Sequence, residues 1–161
     1  MGLDIFEEVV ASWLQTDGYF MMNNIKYGRN QEIDILAIKV GLDEVIHIEV
    51  TCSSNAVTFL GTSEAGEKDY KGCAETYLQK KFLNDDVVKK IKDITDDTVK
   101  IKRWFIHADL KEEKQLNVFH AEGIVTKHIN NVIKEIKERD LKEFIRDKRI
   151  KQLFDIMCKK K

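Results

Sequence analysis

Two branched, apolar runs, Glu32 to Val40 and Val45 to Thr51, are separated only by Gly41-Leu42-Asp43-Glu44, and each contains an acid: Asp34 in the first and Glu49 in the second. Runs of this length and composition read as strands buried in a sheet. So short a connection joins antiparallel neighbours, and the two runs form a hairpin. An ionised carboxylate inside such strands is costly unless a cation or strong donors compensate it. Two of them call for a shared solution: a bound cation on one reading, backbone donors or an arginine such as Arg29 on the other.

The flanking sequence supplies the elements that would cover this hairpin. From Leu3 to about Gln15, apolar residues at Ile5, Phe6, Val9, Val10, Trp13 and Leu14 follow the three-four spacing of one helix face. Thr16-Asp17-Gly18 stops that helix, Tyr19-Phe20-Met21-Met22 begins a strand, and Asn23-Asn24 turns it. After the hairpin, Cys52 to Gly66 is a polar loop, and a helix runs from Glu67 to Leu83 with Tyr70, Ala74, Tyr77, Leu78 and Phe82 facing the sheet. A short helix from about Asp85 to Ile94 follows. Val99 to His107 is the fourth strand, and Asn117-Val118-Phe119-His120 a short fifth. The remainder is helical, with stripes at Ile129, Val132, Ile133 and Ile136, then Leu141, Phe144 and Ile145, then Ile150, Leu153, Phe154 and Met157. The economical architecture is α/β: one mixed central sheet with helices on both sides and a helical C-terminal third. A chain of 161 residues suits a single domain, with a core over about 3–125 and an extension over about 126–161.

Composition narrows the function classes mainly by exclusion. No segment approaches the roughly 18 consecutive apolar residues that span a bilayer. The acidic start, Met1-Gly2-Leu3-Asp4-Ile5-Phe6-Glu7-Glu8, lacks the basic region of a signal peptide, and a cytoplasmic protein without membrane partners is the expectation. The 3 cysteines, Cys52, Cys73 and Cys158, have neither disulfide-framework nor zinc-knuckle spacing and read as free thiols. The formal net charge of −1 hides an uneven division. From Lys127 onward lie 12 of the 27 basic and 6 of the 28 acidic residues, leaving 15 against 22 before it. Arg146, Lys148, Arg149, Lys151 and Lys159-Lys160-Lys161 interleave with apolar positions, so this end offers a face for phosphates, a homodimer interface, or a solvated helix surface.

Hard divalent cations prefer carboxylate, carbonyl and water oxygens, and magnesium takes only one or two carboxylates. Asp34 and Glu49 meet that demand if their strands pair, with the Val50 carbonyl as a further oxygen and Glu7 approaching from the first helix. Glu32 shares the Asp34 face by alternation, and His47 shares that of Glu49. His47 is either a ligand or a packed, hydrogen-bonded strand residue. Tyr77 and Gln79 are either DNA contacts or ordinary helix surface.

Phe6-Glu7, Trp13-Leu14 and Gly18-Tyr19-Phe20 together resemble the opening helix and strand of Holliday-junction-resolvase-like members of the PD-(D/E)xK nuclease superfamily. Glu32-Ile33-Asp34-Ile35-Leu36-Ala37 is similar to their acidic second-strand motif, and Ile48-Glu49-Val50-Thr51 stands where they carry an acid, an apolar residue and lysine. The resemblance covers about residues 5 to 51, and loosely the helix after 67. It implies a restriction-endonuclease-like fold in which Asp34 and Glu49 bind magnesium or manganese, Glu7 completes or supports the site, and DNA phosphodiester bonds are hydrolysed. Thr51 departs from the pattern, since it brings no positive charge. Either a lysine from elsewhere substitutes, Lys68 and Lys71 being the best placed in sequence, or the fold serves as an inactive nucleic-acid-binding or assembly subunit.

Overall fold

Asp4 opens the first helix through a reciprocal capping box: its carboxylate accepts the Phe6 N–H at 2.8 Å, and Glu7 Oε2 accepts the Asp4 N–H at 3.2 Å. The structure, a computed structural model, describes residues 4–52, 69–110 and 112–139. In helix α1 (Ile5–Thr16) the expected face is buried through Val9, Val10, Trp13 and Leu14. Gly18, at φ +81°, takes the left-handed conformation that ends the helix and admits the first strand.

Three strands then form an antiparallel meander, β1 (Phe20–Gly28), β2 (Gln31–Ile38) and β3 (Glu44–Thr51). Helix α2 (Tyr70–Leu78) runs directly into a π-helical turn, Gln79–Leu83, and α3 (Asp85–Ile94) follows. Strand β4 (Lys100–His107) returns parallel to β3. A 3-10 turn leads into α4 (Leu116–Ala121), β5 (Val125–His128) lies parallel to β4, and α5 (Ile129–Glu138) closes the described chain. The result is a mixed five-stranded sheet in the order β1-β2-β3-β4-β5, flanked by helices.

The helices cover both faces. On one, α1 and α5 bury Val10, Trp13, Leu14, Val132 and Ile136 against Ile35, Ile46, Ile48 and Ile106. On the other, α2, the π-helical turn and α4 pack Ala74, Leu78, Phe82 and Phe119 on Phe105, while α3 sets Val87 and Ile91 against Ile33, Leu36 and Val45. A network also locks α5 to α1: Trp13 Nε1 donates to Glu135 at 2.9 Å, and Arg139 reaches Asp17 at 2.6 Å.

Three local expectations are corrected. Asn23-Asn24 does not turn the chain, because β1 continues to Gly28; Asn24 takes φ +53° within the strand, a conformation asparagine tolerates. Asn117 to His120 is helix α4, a short apolar run whose periodicity could not separate the two states, and the fifth strand is Val125–His128. The helix expected over Glu67 to Leu83 is α from Tyr70 and π at its end. The stripes from Leu141 to Met157 lie outside the described residues. Among the described residues no helix is long and apolar enough to cross a membrane.

Ile48 has no exposed surface, so Ile48→Ala is expected to cost about 2–5 kcal/mol. Val40→Ala, at a side chain that is 80% exposed, should stay within about 0.5 kcal/mol of the parent. Denaturant titration checks both, through the midpoint at constant slope.

Candidate functional site

The registered ladder between β2 and β3 runs from Ile38 paired with Val45 to Ile35 paired with Ile48. Asp34 lies one residue beyond it, and its Oδ2 accepts the Val50 N–H at 2.8 Å. The carboxylate thus does the work of a strand carbonyl at the point where the ladder ends. Glu49, with no exposed surface, reaches the same place from β3.

The Glu49 carboxylate is gripped from two directions. His47 Nε2 lies 2.8 Å from Oε1, and Lys81 Nζ lies 2.8 Å from Oε2. Burial, followed by the charge of Arg103, pulls His47 down to about 3, so the imidazole is neutral at ordinary pH. Its contact with Glu49 is therefore a hydrogen bond and not an ion pair. The other ring nitrogen, Nδ1, is buried without a hydrogen-bond partner, and the ring packs 4.8 Å from that of Phe82. His47 is thus the packed, hydrogen-bonded strand residue of the two readings offered by the sequence.

Lys81 comes from the π-helical turn. Besides Glu49 it lies 3.8 Å from Asp34 Oδ1 and donates to the Glu32 carbonyl at 3.3 Å. Burial alone would lower its pKa, but the Glu49 and Asp34 charges outweigh that and raise it, so the amine stays protonated. Thr51, which brings no charge, pairs through its hydroxyl with the Tyr77 hydroxyl at 2.8 Å. Tyr77 also packs against Phe105 and Phe119, which makes it part of the inner wall and not an outward contact.

The acids outnumber the cation. Burial, then the charge of Glu49, pushes Asp34 up to about 7, with Lys81 and the Val50 N–H acting against the shift. Burial pushes Glu49 up to about 7 against the pull of Lys81. Glu7, on α1, is also raised to about 7, by burial and then by Asp34, which places it within electrostatic reach of the pair. Its oxygen accepting from Asp4 belongs to the helix cap.

Other sequence candidates fall elsewhere. Lys71 points into solvent at the start of α2, 77% exposed, with Glu75 3.6 Å away; it is not at the acids, and the amine that is there belongs to Lys81, ten residues further along the chain. Lys68 lies outside the described residues. Val50 reaches Asp34 through its N–H. The Cys52 thiol is pushed up by burial, the opposite of what a nucleophile needs, and Cys73 is buried.

Among the described residues no group of three or more His, Cys, Asp or Glu side chains is arranged to hold a metal ion. Magnesium does not require one, since it commonly takes one or two carboxylates and fills its other positions with water or substrate oxygens. The donor chemistry fits such an ion: two carboxylates lie at one place, the charge of Glu49 raises Asp34, and Glu49 Oε2 lies within ion-pair range of Lys81 yet has no partner in hydrogen-bond geometry.

The chain matches no family model and no curated protein. Among solved structures it is similar to a protein of unknown function, AF1548, at a TM-score of 0.45 and 16% identity, over 78% of this chain and 58% of that one. The chain thus spans little more than half of that protein. So loose a likeness carries no argument.

The raised acids make stability depend on pH. A carboxyl whose folded pKa lies above its unfolded value favours folding while protonated, and that contribution is lost as pH rises through the folded value near 7. His47 acts oppositely between about 3 and its unfolded value near 6.5, but the raised acids outnumber it. Stability should therefore fall between about pH 4 and 7, most steeply above 6.5 where His47 no longer opposes the acids, and level off above the folded value near 7. Asp34→Asn, which keeps an acceptor for Val50, should flatten that fall and exceed the parent in stability at the alkaline end. Denaturant midpoints across this range are the check, and an unchanged slope in Asp34→Asn counts against the shared charge.

Proposed function

We propose that this protein is a magnesium- or manganese-dependent deoxyribonuclease of restriction-endonuclease-like fold, hydrolysing DNA phosphodiester bonds at Asp34 and Glu49. The observation that carries the reading is Lys81: its ammonium lies 2.8 Å from Glu49 and 3.8 Å from Asp34 although Thr51 occupies the strand position where the resembled family has lysine. The acid-acid-lysine combination is complete, with the lysine on a helix instead of a strand.

Each residue then has a physical role. Asp34 and Glu49, with the Val50 carbonyl, would hold the ion in a hard oxygen set. When bound, the ion supplies Lewis acidity toward a phosphoryl group and acidifies water. Lys81 orients the attacking water and offsets the negative charge that develops on the phosphate oxygens. Glu7, raised to about 7, is poised to accept a proton near neutral pH and supports the site from α1. Basic residues beyond Lys127 would contact the DNA backbone, which makes binding fall with salt, and the apolar residues interleaved with them from Leu141 onward would support a homodimer.

The experiment is cleavage of linear, branched and single-stranded DNA with magnesium or manganese by the full chain. Asp34→Ala, Glu49→Ala and Lys81→Ala should each lower kcat by about 10²–10³-fold, the effect of removing a charge-stabilising group. Glu7→Gln should lose less, and Lys71→Ala should cut like the parent. If the wild-type protein is inert on every substrate, or Lys81→Ala cuts equally well, the catalytic reading fails. Salt-dependent DNA binding without cleavage would identify instead an inactive nucleic-acid-binding subunit.

A further inference from the structure

The last carbonyls of a helix have no partners within it and must find donors elsewhere. At the end of the π-helical turn, where the chain becomes extended at Asn84, two of these carbonyls are held by side chains from the sheet. Tyr27 Oη donates to the Lys80 carbonyl at 3.3 Å, and Arg103 Nε donates to the Phe82 carbonyl at 3.2 Å. These carbonyls belong to the residues on either side of Lys81.

Tyr27 is on β1 and Arg103 on β4, and the strands between them, β2 and β3, carry Asp34 and Glu49. The turn is thus fastened to the sheet on both flanks of the acids, and the residue between the fastenings is the one whose amine reaches them. Arg103 is also paired in register with His47, whose ring packs on Phe82, so the same contact steadies the wall behind Glu49. A π-helical turn departs from the usual helical ladder and is less able to hold its own shape. Donors from outside are what fix it.

We propose that Tyr27 and Arg103 are positioning residues that hold the backbone of the Lys81 turn and so fix the Lys81 amine between Asp34 and Glu49. The catalytic weight of this proposal rests on the nuclease reading; the tethering itself does not. Neither side chain needs to touch substrate.

Competitive acetylation of lysine amines in the full chain, read by mass spectrometry, reports how freely Lys81 leaves the acids. In Tyr27→Phe and in Arg103→Gln, Lys81 should be labelled roughly three- to tenfold faster than in the parent, the factor one net hydrogen bond supplies. Lys102 and Lys127, paired with Glu44 and Glu135, should keep their rates. In DNA cleavage, kcat should fall by a similar factor with KM unchanged, and adding Tyr27→Phe to Lys81→Ala should cause no further loss. Unchanged Lys81 labelling in Tyr27→Phe overturns the proposal, as does a Tyr27→Phe loss that persists without Lys81. If Arg103→Gln does not fold, Tyr27→Phe, at a half-buried residue, decides alone. A wild-type protein inert on DNA overturns the nuclease reading, while the labelling still decides the tethering.

Discussion

Glu49 is a carboxylate with no exposed surface in a strand that has neighbours on both sides, and the arrangement around it follows from that burial. Its two oxygens are met separately, one by a neutral imidazole from its own strand and one by an ammonium from across the sheet face. His47 is two residues away, and strand alternation places it on the same face. Lys81 must come from an element packed over that face. The chain therefore has to return after β3 as a helix crossing the acids before it can add β4, and the parallel pairing of β3 with β4 requires such a crossover in any case. Topology and charge compensation are satisfied by the same segment.

The π-helical turn shows how that segment meets two demands at once. Phe82 is fully buried against Phe119 and His47, whereas Lys81, its neighbour, must reach Glu49. In an ideal α-helix adjacent residues point about 100° apart. A wider turn and anchorage from neighbouring strands reconcile an apolar side chain and a charged one on the same side of the sheet. Thr51 is compatible with this solution, since its hydroxyl and that of Tyr77 satisfy one another where a strand lysine would otherwise need room.

Much of this was legible in the sequence because the physics is local. Branched runs with a four-residue connection gave the β2–β3 hairpin, and the three-four spacing of Val9, Val10, Trp13 and Leu14 gave α1. Asp34 and Glu49 stood out because acids are rare in such strands. Lys81 was harder to see, although a signal existed: it lies four residues after Tyr77 and seven after Ala74, on the apolar stripe of its helix, where a charged residue needs a buried partner. Lys71, nearer to Thr51 in sequence, is solvent-exposed instead. The β5 strand was missed because Val125-Thr126-Lys127-His128 is polar and its pairing with β4 is non-local, while the more apolar Asn117 to His120 is a helix. The tethers from Tyr27 and Arg103 join residues 53 and 21 positions from their partners, and no local pattern could announce them.

The balance of charge separates two explanations for the site. An ion pair kept only for structure should be close to neutral, because every uncompensated buried charge is a cost, and apolar replacement of a buried pair is often neutral or stabilising. Here Asp34 and Glu49 share one ammonium, Glu7 adds its charge beside Asp34, the nearby imidazole is neutral, and all three acids are pushed up to about 7. Lys81 can neutralise one of them. The remaining negative charge makes the folded protein less stable as pH rises, and a partner that brings further positive charge would relieve it. Holding that excess beside a fixed ammonium costs stability, and on the proposed reading a divalent cation would offset it. A balanced pair would carry no such excess, and the surplus is what favours the proposed reading over a purely structural one.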